Sequence, residues 1–179
     1  MPNNLLLTGR PGVGKTTIVR KVIVQLDGQA GGFYTEEVRE RGKRVGFRIV
    51  TLDGETAWLA RVNMPSSFRV GRYGVDVQGL ERVGVPAIRR ALASRRVVII
   101  DEIGKMELFS PAFMQVTMEV LDAWKPLVGT VMLKSHPWVN AVKRRADVVV
   151  WEVTESNRDE MPNRVLDWLA ERLPKEAQS

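Results

Sequence analysis

The sequence predicts an α/β fold, a mostly parallel sheet with helices on both faces, extended by an antiparallel hairpin. Three observations predict it. Short apolar runs of strand length alternate along the chain with segments whose apolar residues recur at helical spacing. A glycine-rich turn, Gly9-Arg10-Pro11-Gly12-Val13-Gly14-Lys15-Thr16, joins the first such run to the first such segment. Further on, Val97-Val98-Ile99-Ile100 reads as a strand covered on both faces, as in a parallel sheet, and it ends in the acids Asp101 and Glu102.

In order, Asn4-Leu5-Leu6-Leu7-Thr8 is the first strand. Ile18 and Val19, Val22 and Ile23, then Leu26 mark a helix from Thr17 to Leu26. Gly28 and Gly31-Gly32 mark a turn. Phe33 to Arg39 and Val45 to Val50 then read as two strands of a hairpin around Glu40-Arg41-Gly42-Lys43. Asp53-Gly54 is a strong turn pair, and Glu55 to Ala60 is a further short strand. Arg61 to Gly79 is the least regular stretch, carrying Pro65, Ser66, Ser67 and the cations Arg61, Arg69 and Arg72; a long functional or mobile loop is expected. Leu80, Val83, Ala87, Ile88, Ala91 and Leu92 restore helical spacing, with Pro86 starting a turn or kinking it.

Beyond the acids, Ser110-Pro111 is a helix cap followed by a first-turn proline, and Phe113, Thr117, Val120, Leu121 and Trp124 line one helical face. Leu127 to Leu133 is a strand, Pro137 to Arg145 a short basic helix, and Asp147 to Trp151 a buried strand. Met161, Val165, Trp168, Leu169 and Leu173 form the apolar face of a closing helix. No repeat, low-complexity tract or linker divides the chain, so a single domain over residues 1–179 is expected.

Composition excludes several chemistries. With no cysteine, neither a disulfide framework nor thiolate catalysis nor a cysteine-bound metal is possible. The single histidine, His136, cannot supply a histidine metal site or a Ser-His-Asp triad and reads as a loop or cap residue. No basic stretch followed by an apolar run opens the chain, and no segment approaches the ~20 apolar residues of a membrane span, so the expectation is a cytoplasmic protein without a membrane partner. The net charge of +6 suits nucleic acid or anionic nucleotides, but the cations are scattered along solvated helix ends rather than massed.

The turn at Gly9 to Thr16 has the G-x-x-x-x-G-K-[ST] spacing of a phosphate-binding loop, between a strand and a helix as its chemistry requires. Its glycines let successive backbone N–H groups point inward at an anion, and the following helix adds unpaired donors and the positive end of its dipole. Lys15 would face the β- and γ-phosphates of a nucleoside triphosphate, and the Thr16 hydroxyl would ligate Mg²⁺. The strand ending in Asp101 and Glu102 is a Walker B pattern, its acids at the carboxyl end where open α/β sheets bind ligands. Asp101 would hold Mg²⁺, and Glu102 would take the proton of an attacking water from the opposite side of the strand end. An acidic pair there marks the RecA-like branch of P-loop proteins, which carries a catalytic glutamate; the N-K-x-D motif with which GTPases read guanine is absent.

Beyond these motifs the sequence resembles the P-loop nucleoside-triphosphatase family first known from thermophiles, whose vertebrate members are called cancer-related nucleoside-triphosphatases. The resemblance rests on Gly9 to Thr17, Gly32 to Arg39, Gly46 to Ile49, Val70 to Val75, Asp101 to Leu108 and Thr154 to Arg158, in family order over nearly the whole chain. It implies slow hydrolysis of ATP, GTP and other nucleoside triphosphates, with little base preference. It also implies a nucleotide cradle of Gly9, Arg10, Pro11, Gly12, Val13, Gly14, Lys15, Thr16 and Thr17, facing Ile100, Asp101, Glu102, Ile103, Gly104 and Lys105. Asn157 and Arg158, in the loop before the last helix, join that set; Arg158 is either an internal arginine finger or a salt bridge at the helix start. The chain departs from the family pattern at Val128 to Met132, where Thr130 is the candidate γ-phosphate sensor.

Two other readings stay open. A nucleoside or nucleotide kinase shares the size and the loop, and Arg61 to Arg72 would then be an arginine-rich lid. A nucleic-acid-associated ATPase would use the net positive charge, but helicase motifs and an aromatic-basic platform are missing. The oligomeric state is left open, a monomer being the simpler expectation.

Overall fold

The computed structural model describes residues 1–174; the last five residues of the expected domain lie outside the described residues. Among the described residues nine strands, numbered β1 to β9 in chain order with the ranges that follow, form one sheet in the order β5-β6-β4-β3-β2-β7-β8-β1-β9. Its parallel half comprises β1 (Asn4–Thr8), β2 (Ala30–Glu40), β7 (Val97–Ile103), β8 (Leu127–Val131) and β9 (Val148–Glu152). The antiparallel half comprises β3 (Lys43–Thr51), β4 (Thr56–Val62), β5 (Arg69–Val70) and β6 (Tyr73–Val75).

Helices cover both faces. On one side α1 (Lys15–Leu26) and α6 (Met161–Ala170) bury Ile18, Val19, Val22, Val165 and Leu169 against Leu5, Leu7 and Ile99. On the other side α2 (Val77–Gly79) leads through a π-helical turn, Leu80–Gly84, into α3 (Val85–Ser94). There α3, α4 (Pro111–Leu121) and α5 (Pro137–Lys143) pack on Leu6, Phe33, Ile100 and Ile103. Val97, Val98, Ile99 and Ile100 are fully buried, as the unbroken β-branched run predicts. Each such side chain contributes about 1.5–3 kcal/mol through the apolar surface it removes from water.

Several elements depart from the sequence reading. Gly31 and Gly32 belong to β2 rather than to a turn; Gly32 lies so close to the backbone of Ile99 that a Cβ would collide with the Ile99 carbonyl oxygen. The turn itself is at Asp27 and Gly28, both at positive φ. The antiparallel part is larger than one hairpin, because Arg61 to Gly79 is not a loop but completes β4, forms the β5–β6 hairpin at the sheet edge and starts α2. The Asp76 carboxylate caps α2 by accepting the Gly79 N–H at 2.9 Å. Pro86 does not break the helical run: it follows directly on the π-helical turn Leu80–Gly84, whose wider hydrogen-bonding pattern precedes it.

Ser110 caps α4 by accepting the Phe113 N–H at 3.0 Å, as predicted, but the helix ends at Leu121. Trp124 therefore falls outside its periodicity and is 97% exposed. His136 caps α5, its Nδ1 accepting the Trp138 N–H at 3.2 Å. The apolar strand β9 is the sheet edge, with Val149, Val150 and Trp151 only half buried. Arg164 from α6 lies over the Trp151 ring at 4.8 Å, which partly covers that edge.

Candidate active site

The loop between β1 and α1 closes on itself. Val13 N donates to the Arg10 carbonyl at 3.2 Å, and Gly12 and Gly14 take φ of 79° and 115°, which residues bearing a Cβ rarely adopt. No side chain caps the first turn of α1, so its leading N–H groups stay available to an anion. Lys15 folds back across the loop and donates from Nζ to the carbonyls of Gly9 at 2.9 Å and Arg10 at 3.2 Å. These bonds use two of its three N–H donors and leave the third for a phosphate oxygen. Arg10, Pro11, Gly12 and Thr17 are exposed along the rim, whereas Gly9 and Val13 are buried, Val13 in the α1 core.

The strand β8 stands between β1 and β7, so the loop and the acids come from strands that are not neighbours. Two threonines bridge the gap. Thr16, on α1, donates its hydroxyl to Asp101 Oδ2 at 2.8 Å, and Thr130, on β8, donates to Asp101 Oδ1 at 2.5 Å. The backbone N–H of Thr35, on β2, also favours the Asp101 carboxylate. Burial pushes the Asp101 carboxyl above its ordinary range, and the hydrogen bonds from Thr130, Thr16 and Thr35 and the charge of Lys15 work against that rise. Thr130, the candidate γ-phosphate sensor, thus directs its hydroxyl to Asp101.

Beyond Asp101 the pairing of β7 with β8 is irregular between Ile100 and Ile103, and the Asp101–Glu102 peptide is cis. Burial raises the Glu102 carboxyl first, the Asp101 charge raises it further, and the Lys15 charge lowers it. Both acids therefore sit within the field of the same ammonium.

Ile100 and Ile103 are fully buried in the core on the α3 side, so only their backbone can border a ligand. Gly104 is buried and Lys105 is exposed at the turn after β7. Asn157 spends both ends of its amide on its own loop: Oδ1 accepts the Thr154 N–H at 2.8 Å and Nδ2 donates to the Glu152 carbonyl at 2.9 Å. This fixes the loop that carries Arg158, whose Nη1 donates to the Val13 carbonyl at 3.3 Å. Arg158 makes no ion pair among the described residues and lies across the phosphate loop, which disfavours the helix-start salt bridge.

The donor set suits Mg²⁺. That ion takes hard oxygen ligands, keeps several waters and is held by one or two protein groups plus substrate phosphates. Thr16 Oγ1 and the Asp101 carboxylate are two such oxygens at the mouth of the loop. Among the described residues no group of three or more acids or histidines offers a cation site elsewhere.

Residues 4–166 match the family model described as NTPase. The chain belongs to the NTPase family. The nucleoside-triphosphatase THEP1 of Thermotoga sp. (strain RQ2) is 50% identical over 92% of this chain and 94% of its own length. The crystal structure of THEP1 from the hyperthermophile Aquifex aeolicus superposes with a TM-score of 0.85 at 40% identity, covering 93% of this chain and 98% of that one. A solution structure of a human cancer-related nucleoside triphosphatase gives 0.81 at 38% identity, covering 96% and 98%. The family that Gly9 to Thr17 and Asp101 to Leu108 resemble is the family found, and the P-loop α/β fold of this NTPase is that of its solved relatives.

Sequence reasoning missed two residues of this NTPase site. Thr35 acts through its backbone, which no side-chain pattern reveals. Glu107 is buried beside Glu102, brought there by a turn with no periodic signal; its place six residues after Asp101 was the only hint. No helix among the described residues is long and apolar enough to cross a membrane.

Proposed function

We propose that this protein hydrolyses nucleoside 5′-triphosphates to the diphosphate and phosphate, slowly and with little base selectivity. The observation that carries the reading is the Thr16–Asp101 hydrogen bond, which ties the phosphate loop to the acidic strand across an intervening strand. Support comes also from relatives named nucleoside-triphosphatase over nearly their whole length.

In this mechanism the loop N–H groups and the α1 N-terminus bind the β- and γ-phosphates, and Lys15 neutralises charge that grows on them in the transition state. Thr16 and Asp101 would hold Mg²⁺, whose chemistry when bound is to screen the phosphate oxygens. Glu102 orients a water in line with the γ-phosphorus and accepts its proton as the new P–O bond forms and the bond to the bridging oxygen breaks. Arg158, held by the Asn157-braced loop, supplies a second cation from the same chain.

Low base selectivity fits a loop that reads phosphates and a sequence without a motif that must read a base edge. The lid that a kinase would need has no counterpart at Arg61 to Arg72, where Arg72 is bonded to the Arg44 carbonyl at 2.7 Å within the sheet edge. The proposed setting is the cytoplasm, where nucleoside triphosphates are held, with the chain acting as a single domain and a monomer.

Phosphate release from ATP, GTP, CTP and UTP, with Mg²⁺ and with chelator, tests the reading. The expectation is metal-dependent release without any acceptor, with kcat/KM values within about one to two orders of magnitude, under ~3 kcal/mol of discrimination. Turnover that requires an added nucleoside acceptor, or a ten-thousand-fold preference for one base, would contradict it.

A further inference from the structure

Glu107 is an acid that the proposed mechanism does not use. It opens the 3₁₀ turn Glu107–Phe109 immediately after β7 and is only 4% exposed. No cation pairs with it among the described residues. The backbone N–H groups of Glu107 itself and of Gly104 favour the charged carboxyl, but burial outweighs them. Burying a carboxyl without a cation is unfavourable, and a glutamine or an apolar residue would fill the volume at less expense. A purely structural role therefore explains the fold of the turn but not the choice of an acid.

What the acid touches is informative. A Cβ placed on Gly104 would come within 2.5 Å of Glu102 Oε1 and 3.1 Å of Glu107 Oε2. The two carboxyls thus converge on one point, the bare face of Gly104. The φ of Gly104 is not in the left-handed region, so glycine is not needed there for the backbone. It is needed for the gap. Burial raises the Glu107 carboxyl well above its ordinary range, and the charge of Glu102 raises it further. This favours the proton-bearing form, which can donate a hydrogen bond to a carboxylate.

We infer that Glu107 and Gly104 are positioning residues for Glu102: the fixed Glu107 carboxyl braces the Glu102 carboxylate, and the missing side chain of Gly104 leaves the space in which it is aimed at the triphosphate. Glu102 then needs no reorganisation when the water arrives, because its rotamer is already held by groups on a rigid turn. The inference rests on the reading of Glu102 as the acceptor of the water proton.

The substitutions Gly104→Ala, Glu107→Leu and Glu107→Gln, each alone and combined with Glu102→Gln, separate the possibilities. Gly104→Ala is the cleanest probe. The atoms its methyl would meet are side-chain carboxyl atoms and not backbone, those of Glu102 nearest, so the fold absorbs it while the Glu102 carboxyl takes the closest contact. Gly104→Ala and Glu107→Leu should lower kcat about tenfold or more, with the dissociation constant for a labelled non-hydrolysable triphosphate within about twofold of the parent. Glu107→Gln, whose amide still donates, should recover the greater part of the Glu107→Leu loss. In the Glu102→Gln background the same substitutions should change kcat less than about twofold, because nothing remains to be aimed.

Parental kcat in both Gly104→Ala and Glu107→Leu would overturn the inference. So would equal losses with and without Glu102, or a Glu107→Gln variant as slow as Glu107→Leu. If Glu102→Gln alone turns over at the parental rate, the reading of Glu102 itself fails; if it is slow while the other variants are parental, only the positioning role fails.

Discussion

Replacing Thr130 with valine removes one hydroxyl from the site and keeps the branched shape of a fully buried side chain. The hydroxyl is the 2.5 Å donor to Asp101 Oδ1; the Thr16 hydroxyl remains on Oδ2. A hydrogen bond to a charged group is worth about 1.5–3 kcal/mol, and it is lost here without opening a cavity. Because burial already opposes the charge on Asp101, the loss falls on the carboxylate that would ligate Mg²⁺. Removing a supporting partner of a metal ligand lowers affinity about 10–100-fold, or about 1.4–2.8 kcal/mol, in agreement with the hydrogen-bond figure. Phosphate release measured against Mg²⁺ concentration at saturating ATP reads this directly. The half-saturating Mg²⁺ should rise about 10–100-fold, with kcat at saturating metal within about threefold of the parent. An unchanged metal requirement with a lower kcat would refute this reasoning and return Thr130 to a direct role at the γ-phosphate.

Three further outcomes are expected. Lys15→Ala should abolish turnover and weaken triphosphate binding, and Lys15→Arg should fail as well, because a guanidinium fork cannot replace a point charge folded between the Gly9 and Arg10 carbonyls; parental turnover in Lys15→Ala would remove the basis of the nucleotide site. Arg158→Ala should lower kcat by at least about tenfold, a modest share of the 10³–10⁵ that an arginine finger supplies in other P-loop enzymes; unchanged turnover and affinity would leave Arg158 as a loop tether only. Glu107→Gln should be the more stable protein at neutral pH: with the folded carboxyl raised above its unfolded value, the unfolded chain gives up its proton first, so parental stability falls as pH rises through the carboxyl range. Melting temperatures of the nucleotide-free proteins should coincide below about pH 4 and diverge in favour of glutamine above it, and a gap independent of pH would contradict the buried-acid account.

Much of the site was legible because its chemistry is local. Gly9 to Thr16 needs only its own spacing, and the acids are announced by the four buried residues before them. What was not legible is what strands bring together from afar. Thr130 lies 29 residues from Asp101 and Thr16 lies 85, so the clamp on Asp101 exists only once β8 is laid between β1 and β7. Arg61 to Gly79 reads as a loop because its strands are short and are separated by Pro65, Ser66, Ser67 and Gly71; the edge of an existing sheet makes them strands. Trp124 and β9 show the converse, apolar residues whose pattern suggests a core but whose place is a helix end and a sheet edge.

The central claim is that Glu102 handles the water while Lys15, Thr16 and Asp101 handle the nucleotide, and Glu102→Gln divides the two roles. Glutamine keeps the size and hydrogen bonding of the side chain but not its basicity. Single-turnover hydrolysis of Mg²⁺–ATP, measured beside the dissociation constant for ATP, should show a rate lower by about 10²–10⁴ with affinity within about threefold of the parent. A parental rate in Glu102→Gln would contradict the account.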